Sequence, residues 1–176
     1  MIITPVLLDP MEKVQWLQDV CNKYTDFKIA YNYKRFDGSI GWSKHKTVMD
    51  CWENDLKFLF KATHRQILPY EIILDLDDID SIKKVDRICD YLEHCGESFY
   101  CFSTGGKGYH IHIIEKKLLN FSQNYRRKIR EVFFNKFDIE FDNVKVNDTL
   151  LISLEWQPHR KTGILKNLVR SSKWVN

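Results

Sequence analysis

From residue 71 onward, the spacing of apolar side chains switches between two periods, and each switch marks an element. At residues 71–77, Ile72, Leu74 and Leu76 alternate with Ile73, Asp75 and Asp77, the two-residue period of a strand. Ile82, Val85, Cys89 and Leu92 then recur at helical spacing, with Asp80 or Ser81 as N-cap and Gly96 as the stop. Residues 98–102 and 109–114 read as strands joined by a glycine-rich turn. Ser122 opens a second helix with Tyr125, Ile129, Val132 and Phe133 on its packed side. Two further strands are expected near 138–146 and 149–155. The basic tail carrying Lys166, Arg170 and Lys173 fits neither period.

Before residue 71 the pattern is helical. Asp9, Pro10 and Glu12 form a start signal for a helix with Val14, Leu17, Val20 and Cys21 on one face, ending near residue 23. A second helix is expected over 45–61, from Val48, Cys51, Trp52, Leu56, Leu59 and Phe60. The order from residue 71 is therefore strand, helix, strand, strand, helix, strand. That is the split βαβ pattern of ferredoxin-like and RNA-recognition folds, an α+β class with an antiparallel-rich sheet and helices on one face. At 176 residues the chain fits a single domain, with a core at 71–163 and a helical accessory portion at 1–70.

Composition narrows the setting. A hydrophobic fraction of 44% is ordinary for a globular protein. A net charge of +3 announces nucleic-acid binding only if it is clustered. The five cysteines contain no CxxC pair, which speaks against a disulfide framework or a zinc ribbon, so no zinc is expected. No secretory signal or membrane-spanning run is found, and a soluble intracellular protein that keeps away from membranes is the expectation.

The chemistry lies in two segments. Asp75 and Asp77 project from one strand face, where a pair of carboxylates can grip a hard divalent cation. Taken alone, the pair is a weak signal, and a strand end running into an acidic, solvated turn explains it better. The second segment runs from Ser103 through Thr104, Gly105, Gly106, Lys107 and Gly108 to His110 and His112. Its glycines permit positive φ and close approach, successive amides form an anion-binding nest, and Lys107 and His110 add charge and a donor for phosphate. A hairpin tip would account for the glycines but not for the lysine and two same-face histidines. Downstream, Asp138, Glu140 and Asp142 alternate, and one of them can complete a three-acid site. His159-Arg160-Lys161-Thr162-Gly163 forms a second basic turn.

Together these segments resemble the archaeo-eukaryotic primase superfamily, especially the catalytic small subunit of archaeal primase and its plasmid and viral primase-polymerase relatives. Asp75 and Asp77 match the family's DxD strand. Thr104 to His110 match its SGGKGxH stretch, with Thr for Ser. Asp142 is the best match to its third acid, and Pro158 to Gly163 resemble the Leu-His-Gly-Lys-Thr-Gly segment of archaeal small subunits. The resemblance implies a DNA-templated nucleotidyltransferase that makes or extends primers. Asp75, Asp77 and Asp142 would hold two Mg²⁺ or Mn²⁺ ions. Ser103, Thr104, Gly105, Gly106, Lys107, His110, His159 and Lys161 would hold the nucleotide, with His112 and Arg160 as further candidates. The implied partners are single-stranded DNA, ribo- or deoxyribonucleoside triphosphates, and a primase large subunit, helicase or ligase. The sequence departs from those relatives where Leu150 and Ser153 stand in place of arginines, a loss that Arg160 or Arg170 can supply.

Two other functions fit parts of the chain. His110-Ile111-His112 with Tyr125 and Lys128 resembles a histidine-hydrophobe-histidine endonuclease of rolling-circle replication, with Tyr125 as nucleophile. Tyr100 and Phe102 on a central strand would suit a non-catalytic nucleic-acid-binding module.

Overall fold

A computed structural model describes residues 23, 28–42, 46–47, 63–77, 81–140, 145–155, 157–159 and 161–172. Of the helix expected over 9–23 only Lys23 is described, and it is helical. The Asp80 cap, Asp142, Arg160 and Lys173 also lie outside the described residues. The elements are strands β1 (Lys28–Lys34), β2 (Ile40–Trp42), β3 (Lys46–Thr47), β4 (Thr63–Gln66) and β5 (Glu71–Leu76), then helix α1 (Ser81–His94). Strands β6 (Phe99–Ser103) and β7 (Tyr109–Ile114) follow, then a 3₁₀ turn (Lys116–Asn120), helix α2 (Gln123–Lys136), β8 (Leu151–Ser153) and β9 (Asn167–Ser171). Among the described residues no helix is long and apolar enough to cross a membrane.

Strand β7 runs antiparallel to both β5 and β6. Strands β5 and β6 are therefore parallel with β7 between them, which is the split βαβ unit expected from the periodicity. Alternation along these strands sorts the side chains into two layers. Ile72, Leu74, Leu76, Phe99, Cys101, Ile111 and Ile113 face α1 and α2 and form one core with Val85, Ile88, Leu92, Phe134 and Phe137. Gly96, at φ 70°, ends α1 as its position suggests, and the Ser122 hydroxyl caps α2 by accepting from the Tyr125 amide.

Several expectations are corrected. The described part of the segment before residue 71 contributes a sheet, since β1 pairs with β2, β3 and β4; Lys46–Thr47 is a strand, and the rest of the helix expected over 45–61 lies outside the described residues. The described part of 138–146 is not a strand. Asp138 takes φ 51° and the Ile139 amide turns back to the Phe134 carbonyl, so this acid terminates α2. Strand β8 forms where expected but pairs with β4 in the other sheet, giving the order β2-β1-β4-β8. The edge place beside β6 goes to β9, from the tail that fitted no period, in a sheet ordered β5-β7-β6-β9. The packed side of α2 is also rotated from the expected one. Tyr125 and Val132 are exposed, whereas Arg130 is fully buried, donating to the Glu71 and Val146 carbonyls and pairing with Asp148.

The opposite face of the second sheet packs toward the first through Ile73, Ile67 and Ile152. Between these sheets lies a buried ionic network. The Arg65 guanidinium, on β4, forks onto Glu71 at 2.8 Å from both terminal nitrogens and onto Glu155 at 2.8 and 3.2 Å. His112 Nδ1 lies 3.8 Å from Glu71 and 3.6 Å from Glu155. Lys166 Nζ sits 3.3 Å from His112 Nε2 and donates to the Ser153 carbonyl at 2.8 Å. Burial alone would raise the pKa of Glu71, but Arg65 overrides it and lowers it to about 2. Burial pushes His112 down to about 4 and Lys166 down to about 8. At neutral pH the set is one guanidinium, one ammonium, two carboxylates and a neutral imidazole, so it carries no net charge.

Removing one member strands its partners. Arg65→Met should destabilise the fold by roughly 3–5 kcal/mol, because two buried carboxylates are left with the Lys166 ammonium as their one cationic neighbour in the network. Urea unfolding measures this. The network also predicts a pH slope. An unfolded His112 binds its proton near pH 6.5 while the folded one resists to about 4, so the unfolded state holds more protons between those values. Stability should therefore fall as pH drops from 6.5 toward 4, with His110, whose pKa is also lowered, adding in the same direction. His112→Gln should flatten that slope in chemical denaturation across the same range.

Candidate active site

Strand β5 delivers Asp75 and, one pleat further on, Asp77 to the same side. The β5–β7 register sets His110 opposite Asp75, and His110 Nε2 lies 3.4 Å from Asp75 Oδ1. Both acids, His110 and Thr104 open into a cleft of about 390 Å³. Its far wall comes from the β8 segment 150–153 and from Gln157, Pro158, His159 and Lys161. Six of the residues singled out in the sequence thus meet there: Asp75, Asp77, Thr104, His110, His159 and Lys161.

Two loops form the rim, and close packing dictates their composition. The Thr104 amide and hydroxyl both donate to the Gly108 carbonyl, closing the turn. Within this turn only Gly105 takes positive φ, at 77°, and a Cβ there would lie 2.2 Å from the Ile164 carbonyl oxygen. Gly108 is required for close approach instead, while Gly106 lies near a side chain. A Cβ on Gly106 would stand 3.2 Å from His159 Nε2, and one on Gly108 would stand 2.7 Å from the Leu76 carbonyl oxygen and 2.8 Å from an Asp77 carboxylate oxygen. The Thr162 hydroxyl donates to the Gly105 carbonyl at 2.6 Å, stitching the second basic turn to the first. The turn amides of Gly105 and Gly106 have only long contacts, 3.5 and 3.4 Å, to the Ser103 and Thr104 hydroxyls.

The electrostatics suit a cation. Burial opposes ionisation of Asp75, but His110 and Lys145 outweigh it and lower its pKa to about 2. Burial and then Lys166 lower the pKa of His110, so its ring is neutral at pH 7 and can donate or accept. Asp75 Oδ1 is buried without a hydrogen-bond partner, and Lys145 Nζ lies 3.5 Å from the other oxygen. An orphaned carboxylate oxygen beside a second acid is a donor set that fits a hard divalent ion. Among the described residues no group of three His, Cys, Asp or Glu is arranged to hold a metal ion.

Several candidates stand elsewhere. Lys107 is exposed at the turn's tip and does not line the cleft. His112 is locked in the ionic network, with both ring nitrogens engaged there. Arg170 binds Glu93 and Asp90 on α1, so it replaces no arginine in the cleft, whose wall Leu150 and Ser153 form instead. Tyr125 sits on the helical layer, across the sheet from the histidines, and packs against Phe121 at 4.7 Å, which separates the two halves of the endonuclease motif. Tyr100 and Phe102 are buried, so they offer no stacking platform. The sequence reading missed His64, Gln157 and Lys145. Only Gln157, beside the basic turn, carried a positional signal. Gly108→Ala should destabilise the protein by roughly 1–3 kcal/mol through its clash with the end of β5, read as a lowered Tm.

No protein-family model matches the sequence, and no curated protein does. Solved structures do. The chain is similar to the primase-polymerase (PrimPol) AEP domain of cyanophage S-2L, with a TM-score of 0.53, 13% identity, and 94% of this chain and 92% of that one covered. It is also similar to the primase RepB′, with a TM-score of 0.52 and 13% identity over 93% of this chain and 57% of that one, so it spans little more than half of the latter. Two antiparallel sheets, helices on one outer face and a cleft between the sheets give this chain the archaeo-eukaryotic primase fold.

Proposed function

We propose that this chain is a DNA-templated nucleotidyltransferase that synthesises or extends primers from nucleoside triphosphates. The observation that carries the proposal is the meeting of Asp75, Asp77 and His110 in one cleft, under a rim made of two glycine-bearing basic turns. Asp75 and Asp77 would hold Mg²⁺ or Mn²⁺, with Asp142 as the third acid. When bound, such ions activate a 3′-hydroxyl and stabilise departing pyrophosphate. The chain's own groups then serve the polyphosphate. The Gly105 and Gly106 amides exchange their long internal contacts for phosphate oxygens, and His110 donates a ring N–H. Lys161 and the exposed side chain of Lys107 contribute positive charge, while His159 lies against the turn. Catalysis on this account is positioning and charge neutralisation in a partly dehydrated cleft. The template strand and the triphosphate are the two substrates, and a large subunit, helicase or ligase is the class of partner that such a small core would serve.

Incubation with single-stranded DNA, nucleoside triphosphates and Mn²⁺ or Mg²⁺ should yield primers or extended strands. Asp75→Asn combined with Asp77→Asn should reduce product roughly a thousandfold or more, since metal-borne charge stabilisation is worth several kcal/mol. Activity that survives the double substitution would refute the assignment.

A further inference from the structure

The chain's charge is concentrated in one segment that the cleft does not use. Residues 28–46 contain five Lys or Arg (Lys28, Lys34, Arg35, Lys44 and Lys46) against one acid, Asp37, a net +4 where the whole chain carries +3. Tyr31, Tyr33, Phe36 and Trp42 are interleaved with them. Within this segment β1 and β2 pair as a hairpin, with Asn32 opposite Trp42 and Lys34 opposite Ile40.

The hairpin has a stiff tip. The Arg35 amide donates to the Ser39 carbonyl at 2.8 Å, and the Gly38 amide to the Arg35 carbonyl at 3.0 Å. Gly38 takes φ 81°, the three-residue hairpin turn that closes through a left-handed glycine. The lone acid is used internally, since Asp37 Oδ1 accepts from the Ser39 amide at 2.8 Å. Arg35 is exposed at the apex and Phe36 fully so, without apolar cover for the ring. A large aromatic held in water at the tip of a hydrogen-bonded basic ribbon suits a ligand that presents both phosphates and flat bases.

Its position suits such a ligand too. Ala30 of β1 pairs with His64, and His64 pairs with Ser153; both His64 and Ser153 line the cleft. Past Tyr31, opposite Thr63, β1 pairs only with β2 among the described residues. The ribbon therefore leaves the sheet next to the cleft wall, and its apex lies six residues beyond Ala30, roughly 20 Å of extended chain. We infer that the β1–β2 hairpin, with Arg35 on the backbone and Phe36 stacked on a base, grips the single-stranded DNA that leads to the cleft. This inference rests on the nucleotidyltransferase reading above.

The test uses the full chain and a fluorescently labelled 20-nucleotide oligo(dT), with affinity read by anisotropy over a range of salt. A fluorescent triphosphate with Mn²⁺ is titrated separately. Arg35→Glu and Phe36→Ala should each weaken DNA binding roughly tenfold, with Arg35→Glu lowering the salt slope by about one. Phe36→Trp should retain DNA affinity, and triphosphate affinity and Tm should not move. Unchanged DNA affinity in both variants overturns the inference and leaves a protein partner as the occupant of the tip, with the cleft assignment intact. An unsubstituted chain that binds triphosphate but no DNA overturns it as well. If the chain binds DNA through Arg35 and Phe36 but takes up no triphosphate, the cleft assignment fails and the hairpin survives as a nucleic-acid grip.

Discussion

The two sheets are joined through one guanidinium. Arg65 comes from the first sheet, Glu71 from the second, and Glu155 from the segment after β8, and each carboxylate is held at two points. A planar fork with five donors can do this where an ammonium cannot. Desolvating these charges costs several kcal/mol per ion, so the network is poor as a source of raw stability. What it provides is geometry. A fork that must satisfy two carboxylates accepts one separation and one twist between the sheets, and the cleft is the space that this separation leaves open.

The same network orients the chemistry. Glu71 and Asp75 lie on one face of β5, and His112 and His110 on the facing side of β7. The inner pair is locked by Arg65 and Lys166, while the outer pair opens into the cleft. One strand pair thus spends its buried end on structure and its accessible end on the site. Lys166, reaching in from just before β9, completes the inner set and touches Ser153, whose strand forms the far wall.

Much of the second sheet was legible from the sequence, because β5, α1, β6 and β7 obey clean periods and are separated by Gly96 and the Gly105–Gly108 turn. Local rules suffice where neighbours in sequence are neighbours in space. The first sheet was not legible, for two physical reasons. Apart from β1, its strands are only two to four residues long, down to Lys46–Thr47 in β3, so no period can establish itself there. The interface it makes with the second sheet also carries charge: Arg65, Glu155 and Lys166 read as surface residues yet are buried. Arg130 misled the reading of α2 in the same way. Asp138 looked like the first acid of an alternating strand because a left-handed helix terminus and a strand start draw on the same short polar residues. At the site, the residues with unusual chemistry were found and those with ordinary side chains, His64 and Lys145, were not.

The edge strand β9 has a temporal consequence. It pairs with β6 about seventy positions earlier in the chain, and Arg65 meets Glu155 across a separation of 90. Contacts this distant in sequence close late, since each must overcome the entropy of a long loop. During synthesis the helix-backed half of the molecule can collapse as soon as residue 137 has left the ribosome. The inter-sheet cleft must wait for the final strand, so a nascent chain holds DxD and glycine turn on an open, unfinished surface until nearly the whole of this sequence has emerged.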